Sequence, residues 1–284
     1  MNKKALLVVS FGTSYEATRK KTIDGIEQDL SFAFPDRIFY RAWTSKMIIR
    51  KIKNRDCIHV DTVTEAMERM IADGIDDVLV QPTHILNGVE NDLMREDIAA
   101  FRDRFKQIRI GDPLLMYTDD FIAVARGVAD ALPSLKEDEA IVFMGHGTDH
   151  SANMTYPALD YVFRDLGLSR CFVATVEGYP ALDSVMRDLK ACGCIRKVYL
   201  VPFMIVAGDH ALNDMAGEED DSWKNQLETA GYCVECILRG LGEYEVVRKL
   251  LKYHALKASG DFLRFNGLVP GLKDLKVVCN RKGQ

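Results

Sequence analysis

The sequence predicts an α/β protein of two similar lobes, each a parallel sheet flanked by helices. Short apolar, β-branched runs alternate with stretches of helical period, the pattern of parallel strands buried on both faces. Two pairs of segments echo one another in the same order along the chain. The length, 284 residues, gives room for about two domains with cores that need no disulfide or metal staple.

Taken in order, the aliphatic run Ala5–Ser10 opens the first lobe as a strand, although Met1-Asn2-Lys3-Lys4 before it invites comparison with a signal peptide. The run is too short for that and passes straight into Phe11-Gly12-Thr13 with no small-x-small cleavage site. Helical spacing over Tyr15–Leu30 follows, then strand Ile38–Ala42, helix Val63–Asp73, strands Asp77–Gln81 and Ile108–Gly111, and helix Asp119–Leu132. The second series reads strand Ala140–Met144, helix Tyr156–Leu166, strand Phe172–Val176, helix Leu182–Ala191, strands Val198–Pro202 and Cys233–Leu238, and helix Glu243–His254. Gly193 stands where a left-handed helix end is expected.

The echoes define the lobes. Val8-Val9-Ser10-Phe11-Gly12-Thr13 opens the first and Phe143-Met144-Gly145-His146-Gly147-Thr148 the second. Later, Val78–His84 matches Val198–Met204, each leading into a glycine-started segment, at Gly88 and at Gly208. Apolar periodicity lapses at Pro133–Asp138, so the expected division is 1–132, 133–256 and an extension, 257–284, that fits no repeat.

With 37 Lys+Arg against 42 Asp+Glu, the net charge of −5 argues against a general nucleic-acid binder. Seven cysteines, an odd number spread through a long chain, do not resemble a secreted disulfide framework. No apolar stretch approaches the ~18 residues of a membrane span. A soluble cytoplasmic protein is expected, with no membrane partner.

In open α/β sheets ligands bind beyond the carboxyl ends of the strands. There the halves differ: Phe11 stands where the second lobe has His146, and Glu90 where it has His210. With Glu177, at the end of a third strand, the second lobe offers two imidazoles and a carboxylate. Such a set suits a borderline divalent ion or serves proton transfer; a lone loop histidine would more simply be hydrogen-bonded structure. His84 also follows a strand end, whereas His59, His150 and His254 have no partner pattern and are assigned to surface or packing roles. The Gly145–Thr148 loop lacks the features of a P-loop or dinucleotide fingerprint, and no Gly-x-Ser-x-Gly elbow occurs. Cys233 and Cys236, three apart in a strand, point to opposite faces and make no zinc pair.

The segments Ser10–Thr13, Gly145–His150, Val176–Gly178 and Pro202–Met215, the last including Ala-Gly-Asp-His-Ala-Leu-Asn-Asp-Met, resemble the anaerobic sirohydrochlorin cobaltochelatases. These are class II, ATP-independent tetrapyrrole chelatases, related to ferrochelatase, and the likeness runs from Lys4 to about Leu256. The resemblance implies insertion of Co²⁺ into sirohydrochlorin in cobalamin synthesis, with the tetrapyrrole in the cleft between the lobes. His146, Glu177 and His210 would then be metal-binding and catalytic residues. Phe11, Gly12, Thr13, His84, Glu90 and Met204 would face the substrate, with Leu86 a further candidate for packing on the ring. No cofactor is expected beyond the substrate metal. The reading leaves open Fe²⁺, Ni²⁺ or Zn²⁺ at the same site, a non-catalytic tetrapyrrole or metal carrier, and a homo-oligomer. Sirohydrochlorin carries eight carboxylates, so Arg19, Lys20 and Lys21, or Lys46, Arg50, Lys51, Lys53 and Arg55, are candidates to meet them; a solvated helix face is the competing reading.

Overall fold

In a computed structural model, residues 3–261 are described, and eight strands among them form two four-stranded sheets. β1 (Lys4–Ser10), β2 (Ile38–Trp43), β3 (Asp77–Pro82) and β4 (Gln107–Ile110) are parallel in the order β2-β1-β3-β4. β5 (Glu139–Gly145), β6 (Cys171–Thr175), β7 (Lys197–Pro202) and β8 (Cys233–Cys236) repeat it as β6-β5-β7-β8, again all parallel. Each first strand therefore sits between its second and third, and the order reverses beside β1 and beside β5. The expected strands all form, with ends that move by at most two residues.

The described residues of Met1–Gly12, Ile26–Ala123 and Val246–Gln284 make one compact unit, and those of Thr13–Gly25 and Val124–Glu245 the other. The units interleave in sequence. Residues 133–138 join α6 (Thr118–Asp130) to β5 within the second unit, while the last described helix returns to the first. That helix, α10 (Glu245–Ser259), is fastened there by His254, whose ring nitrogens lie 3.3 Å from the Asp112 carbonyl and 3.3 Å from Asp120 Oδ1. Arg248 pairs with Asp29 at 3.4 Å, and Arg109 donates to the Ser259 carbonyl. Residues 262–284, most of the extension, lie outside the described residues.

The helices deviate from expectation for identifiable reasons. Tyr15–Leu30 is two helices, α1 (Glu16–Lys21) and α2 (Ile23–Ala33), because the buried Thr22 turns its hydroxyl back onto the Thr18 carbonyl at 2.6 Å and leaves helical geometry. α3 (Lys46–Asp56) escapes a periodicity reading because its buried stripe is only Ile49 and Ile52 beneath a basic surface. α5 (Val89–Ala99) is hidden by Asn91, a polar residue at a fully buried position. α4 (Val63–Ala72), with its Thr62/Glu65 capping box, matches the pattern, as do α7 (Thr155–Asp165) and α8 (Leu182–Cys192). Gly193 caps α8 in the left-handed region, as its position predicts. A short α9 (Trp223–Thr229) precedes β8, on which Cys233 is exposed and Cys236 half-buried.

Alternate strand residues feed opposite sides of each sheet. In the second unit Val142, Met144, Ala174 and Leu200 join one core with Val185, Leu189 and Leu227. On the opposite side Phe143 stacks on Phe163 at 5.0 Å between centroids and meets the edge of Phe203 at 5.9 Å. All three rings are fully buried. Phe143→Ala is expected to destabilise the protein by about 3–5 kcal/mol, read as a lowered midpoint of chemical unfolding; a loss below about 1 kcal/mol would mean that the neighbours collapse into the space.

Candidate metal centre

His146 is the first residue beyond β5 and Glu177 the second beyond β6, on strands paired through Gly145 and Thr175. The ladder continues past the strands: Val176 N–H donates to the Gly145 carbonyl at 3.0 Å and Glu177 N–H to the His146 carbonyl at 2.8 Å. Both side chains thus leave the sheet at one level. Gly147 has φ of +87°, and a Cβ there would stand 2.5 Å from the Gly178 nitrogen, so the two loops touch backbone to backbone. Asn153 ties them again, accepting from Thr148 N–H at 3.2 Å and donating to the Tyr179 carbonyl at 2.7 Å. The Tyr156 hydroxyl accepts from Gly147 N–H at 3.4 Å from beneath.

His210 comes from the third strand end. After β7 the chain is held by Leu241 N–H on the Met204 carbonyl, 2.7 Å, and Gly242 N–H on the Ile205 carbonyl, 3.0 Å. The Tyr15 hydroxyl donates to Asp209 Oδ1 at 2.7 Å, which places the Thr13–Gly25 segment against this loop. His210 then starts a single-turn π-helix, Ala211–Met215, a distortion that recurs at functional sites. Its Nδ1 lies 2.6 Å from Asp214 Oδ2.

Three potential ligand atoms, one each from His146, Glu177 and His210, lie within 4.8 Å of one another. The imidazoles meet edge to face at 4.7 Å between centroids. His146 Nδ1 is 2.8 Å from the Gly147 carbonyl, which can only accept, and His210 Nδ1 faces a carboxylate. Both therefore carry hydrogen on Nδ1 and leave the Nε2 lone pair for a ligand. His146 and Glu177 are exposed and His210 half-buried, so two nitrogens and one oxygen face an approachable space.

Thr13 is buried in the second unit and accepts from Tyr15 N–H at 3.2 Å; Met204, half-buried there, packs on the core. In the first unit Phe11 is 43% exposed, Gly12 (φ +99°) rests against Trp43, Leu86 is half-buried, and Glu90 sits half-buried in the first turn of α5. His84 is buried with neither ring nitrogen hydrogen-bonded among the described residues, and burial pulls its pKa down to about 4. In the basic groups, Arg19, Lys20 and Arg55 pair with Asp24, Glu16 and Asp56, while Lys46, Arg50, Lys51 and Lys53 are exposed on α3.

The structure adds partners that spacing did not reveal. His59, given no partner in the sequence, lies 3.0 Å from Asp61 Oδ1, and with Glu65 forms a second close donor group; Arg69 occupies Asp61 from the other side at 2.8 Å. His150 caps the 3₁₀ turn Ser151–Met154. Asn153 and Tyr156 gave no signal in the sequence, and Asp214 was not singled out there, although its place four residues after His210 could have paired the two.

A model of the family described as cobalt chelatase (CbiK) matches residues 4–259. A sirohydrochlorin cobaltochelatase of Salmonella typhimurium (strain LT2) is 41% identical over 256 residues, spanning 90% of this chain and 96% of the relative. Sirohydrochlorin cobaltochelatase CbiKC of Nitratidesulfovibrio vulgaris (strain Hildenborough) is 34% identical over 248 residues, 86% of each chain. Among solved structures, SirB from Bacillus subtilis with Fe³⁺ aligns with a TM-score of 0.63 at 13% identity, over 93% of this chain and 98% of that one. CbiX, described as the terminal enzyme for biosynthesis of siroheme in denitrifying bacteria, aligns at 0.52 and 16% identity over 90% and 99%. At such identities these two likenesses speak for the fold. Sheet order and these likenesses give the chain a two-lobed α/β fold of the kind those structures share. Within that fold, it belongs to the cobalt chelatase (CbiK) family.

Gly147→Ala is expected to separate His146 from Glu177, since a side chain at φ +87° against Gly178 forces the loop to shift. On the ligand reading proposed below, Co²⁺ binding followed by visible absorbance should weaken about 10- to 100-fold, the usual cost of losing a support of a metal ligand, while circular dichroism stays unchanged. Unaltered Co²⁺ affinity would mean that the loop contact does not set the site.

The buried His84 makes a separate prediction. Its folded pKa of about 4 lies below the unfolded value near 6.5, so the unfolded chain binds the extra proton first. The associated stability is complete above about pH 6.5 and is lost as pH falls toward 4, on the order of 3 kcal/mol. The stability difference between wild type and His84→Leu should follow that curve in urea titrations; a difference independent of pH between 4 and 7 would contradict it.

Proposed function

We propose that the chain inserts Co²⁺ into sirohydrochlorin without ATP, and that His146, Glu177 and His210 present the metal. The observation that carries this is the convergence of the three donors at adjacent strand ends in a chain of the cobalt chelatase family. Insertion replaces two pyrrole N–H protons by one dication, so charge balances with release of 2 H⁺. The chain must hold a partly hydrated ion, accept or relay two protons, and favour a bent ring. Two neutral imidazoles and one carboxylate hold a Co²⁺ ion with coordination positions left for water and for pyrrole nitrogen. As the ring nitrogens replace these ligands, the freed imidazoles and Glu177 become proton acceptors.

In this reading Phe11, Gly12, Thr13, His84, Leu86 and Glu90, from residues 1–132, and Met204 are the candidates to face the tetrapyrrole, residues 133–256 carry the metal set, and 257–284 form an extension. The exposed cations of α3 are candidates for the substrate's carboxylates. Fe²⁺, Ni²⁺ and Zn²⁺ would compete for the same donors in affinity order. We place the enzyme in the cytoplasm: the six described cysteines are unpaired, as a reducing compartment keeps them. No described helix is long and apolar enough to cross a membrane.

The test is an anaerobic absorbance assay with excess sirohydrochlorin and Co²⁺. Wild type is expected to turn over many times, and His210→Ala to lose at least ~10²-fold in rate. Product that stops at one equivalent per chain would make the protein a carrier, and full activity in His210→Ala would move the metal elsewhere.

A further inference from the structure

We infer that Asp214 is a positioning residue that makes His210, rather than His146, the anchoring ligand of the incoming metal. The inference rests on the reading of His146, Glu177 and His210 as the metal set.

The two imidazoles are backed differently. His146 Nδ1–H donates to a neutral acceptor, the carbonyl of the next residue in its own loop, at 2.8 Å, and the nearest carboxylate oxygen, Glu177 Oε2, stands 3.9 Å from that nitrogen, beyond hydrogen-bond distance. His210 Nδ1–H donates to the Asp214 carboxylate at 2.6 Å. A hydrogen bond to an ionised acceptor is shorter and about twice as strong as one to a neutral acceptor. It also pushes electron density toward Nε2 and fixes the ring's orientation, as second-sphere carboxylates do at metal-bound histidines. His210 is therefore the stronger and better-held donor.

A purely structural role for Asp214 has little to recommend it. His210 is its one hydrogen-bond or ion-pair partner among the described residues, and its side chain is 45% exposed. It caps no other helix and bridges no other element. The neighbouring acid, Asp209, is turned away to Tyr15. The π-turn Ala211–Met215 places Asp214, four residues on, beside the ring of His210 at its N-terminal end.

An unequal pair suits transfer of an ion. The His146 bond, backed by a carbonyl in an exposed loop, yields first to a pyrrole nitrogen, while His210 holds the metal until the ring takes it.

The experiment measures Co²⁺ binding by d–d absorption, and KM and kcat for Co²⁺ and sirohydrochlorin, in wild type, Asp214→Asn, Asp214→Glu and His210→Ala. Asp214→Asn is expected to raise Kd and KM for Co²⁺ about 10- to 100-fold, to shift the d–d band, and to leave KM for sirohydrochlorin and the melting temperature unchanged. Asp214→Glu should recover most of the Co²⁺ affinity. Wild-type Kd and band position in Asp214→Asn, with Co²⁺ binding lost in His210→Ala, would overturn this inference alone. Undiminished Co²⁺ binding in His210→Ala would overturn the ligand assignment on which it rests.

Discussion

The contact of Gly147 on Gly178 is the constraint on which the grouping of His146 with Glu177, and so the proposed metal set, depends. Parallel pairing of β5 with β6 delivers two chain ends at one level, but the chains would diverge there if side chains stood between them. Two glycines, one at φ +87°, let the loops continue in contact, and the His146–Glu177 ladder bond forms as a result. Asn153 and Tyr156 then hold the loops from the side and below. His146 and Glu177 are exposed, so their placement comes from backbone contacts rather than from burial of the side chains themselves.

The two units share one strand order and differ at the ends of equivalent strands. β1 and β5 occupy the same place in their sheets, yet the residue after the first is Phe11 and after the second His146. After β3 and β7, the glycine-started segments carry Glu90 in one unit and His210 in the other. A parallel sheet fixes where strand ends converge but not what they carry. The repeated fold therefore supplies two equivalent positions, of which the second holds the imidazole-rich one.

Strands β1, β3, β5, β6 and β7 were legible because each is a mostly apolar run buried along its length, a signal that survives in one dimension; the edge strands β4 and β8 are only partly buried. Helices were legible where an apolar stripe met a cap, as in α4 and α8, and illegible where tertiary context overrode it. α3 buries two isoleucines under lysine and arginine, and α5 buries an asparagine. His146 and Glu177 stood out because they are polar residues just past apolar strands, and His210 because it sits in the glycine-started segment after β7, where the first lobe has Glu90. Their supports did not: Asn153 acts from a 3₁₀ turn, and Tyr156 looks like any core aromatic on α7. His254 found its partner Asp120 on another helix, a contact that spacing alone cannot encode, whereas the partner of His59, Asp61, stood two residues away and was passed over.

What the set lacks in number of ligands is itself consistent with a metal that is consumed. A structural zinc site closes four tight ligands around an ion meant to stay, often thiolates. Here two imidazoles and one carboxylate stand with the His146 and Glu177 side chains 47% and 59% exposed, and no described cysteine takes part. Binding that is too tight would deepen the ground state without lowering the barrier to insertion. In the proposed role, an open set of three, with one imidazole backed by a carboxylate and the other by a carbonyl, would hold an ion long enough to be met by a tetrapyrrole. On the same proposal, the bond to His146 would be the one exchanged first.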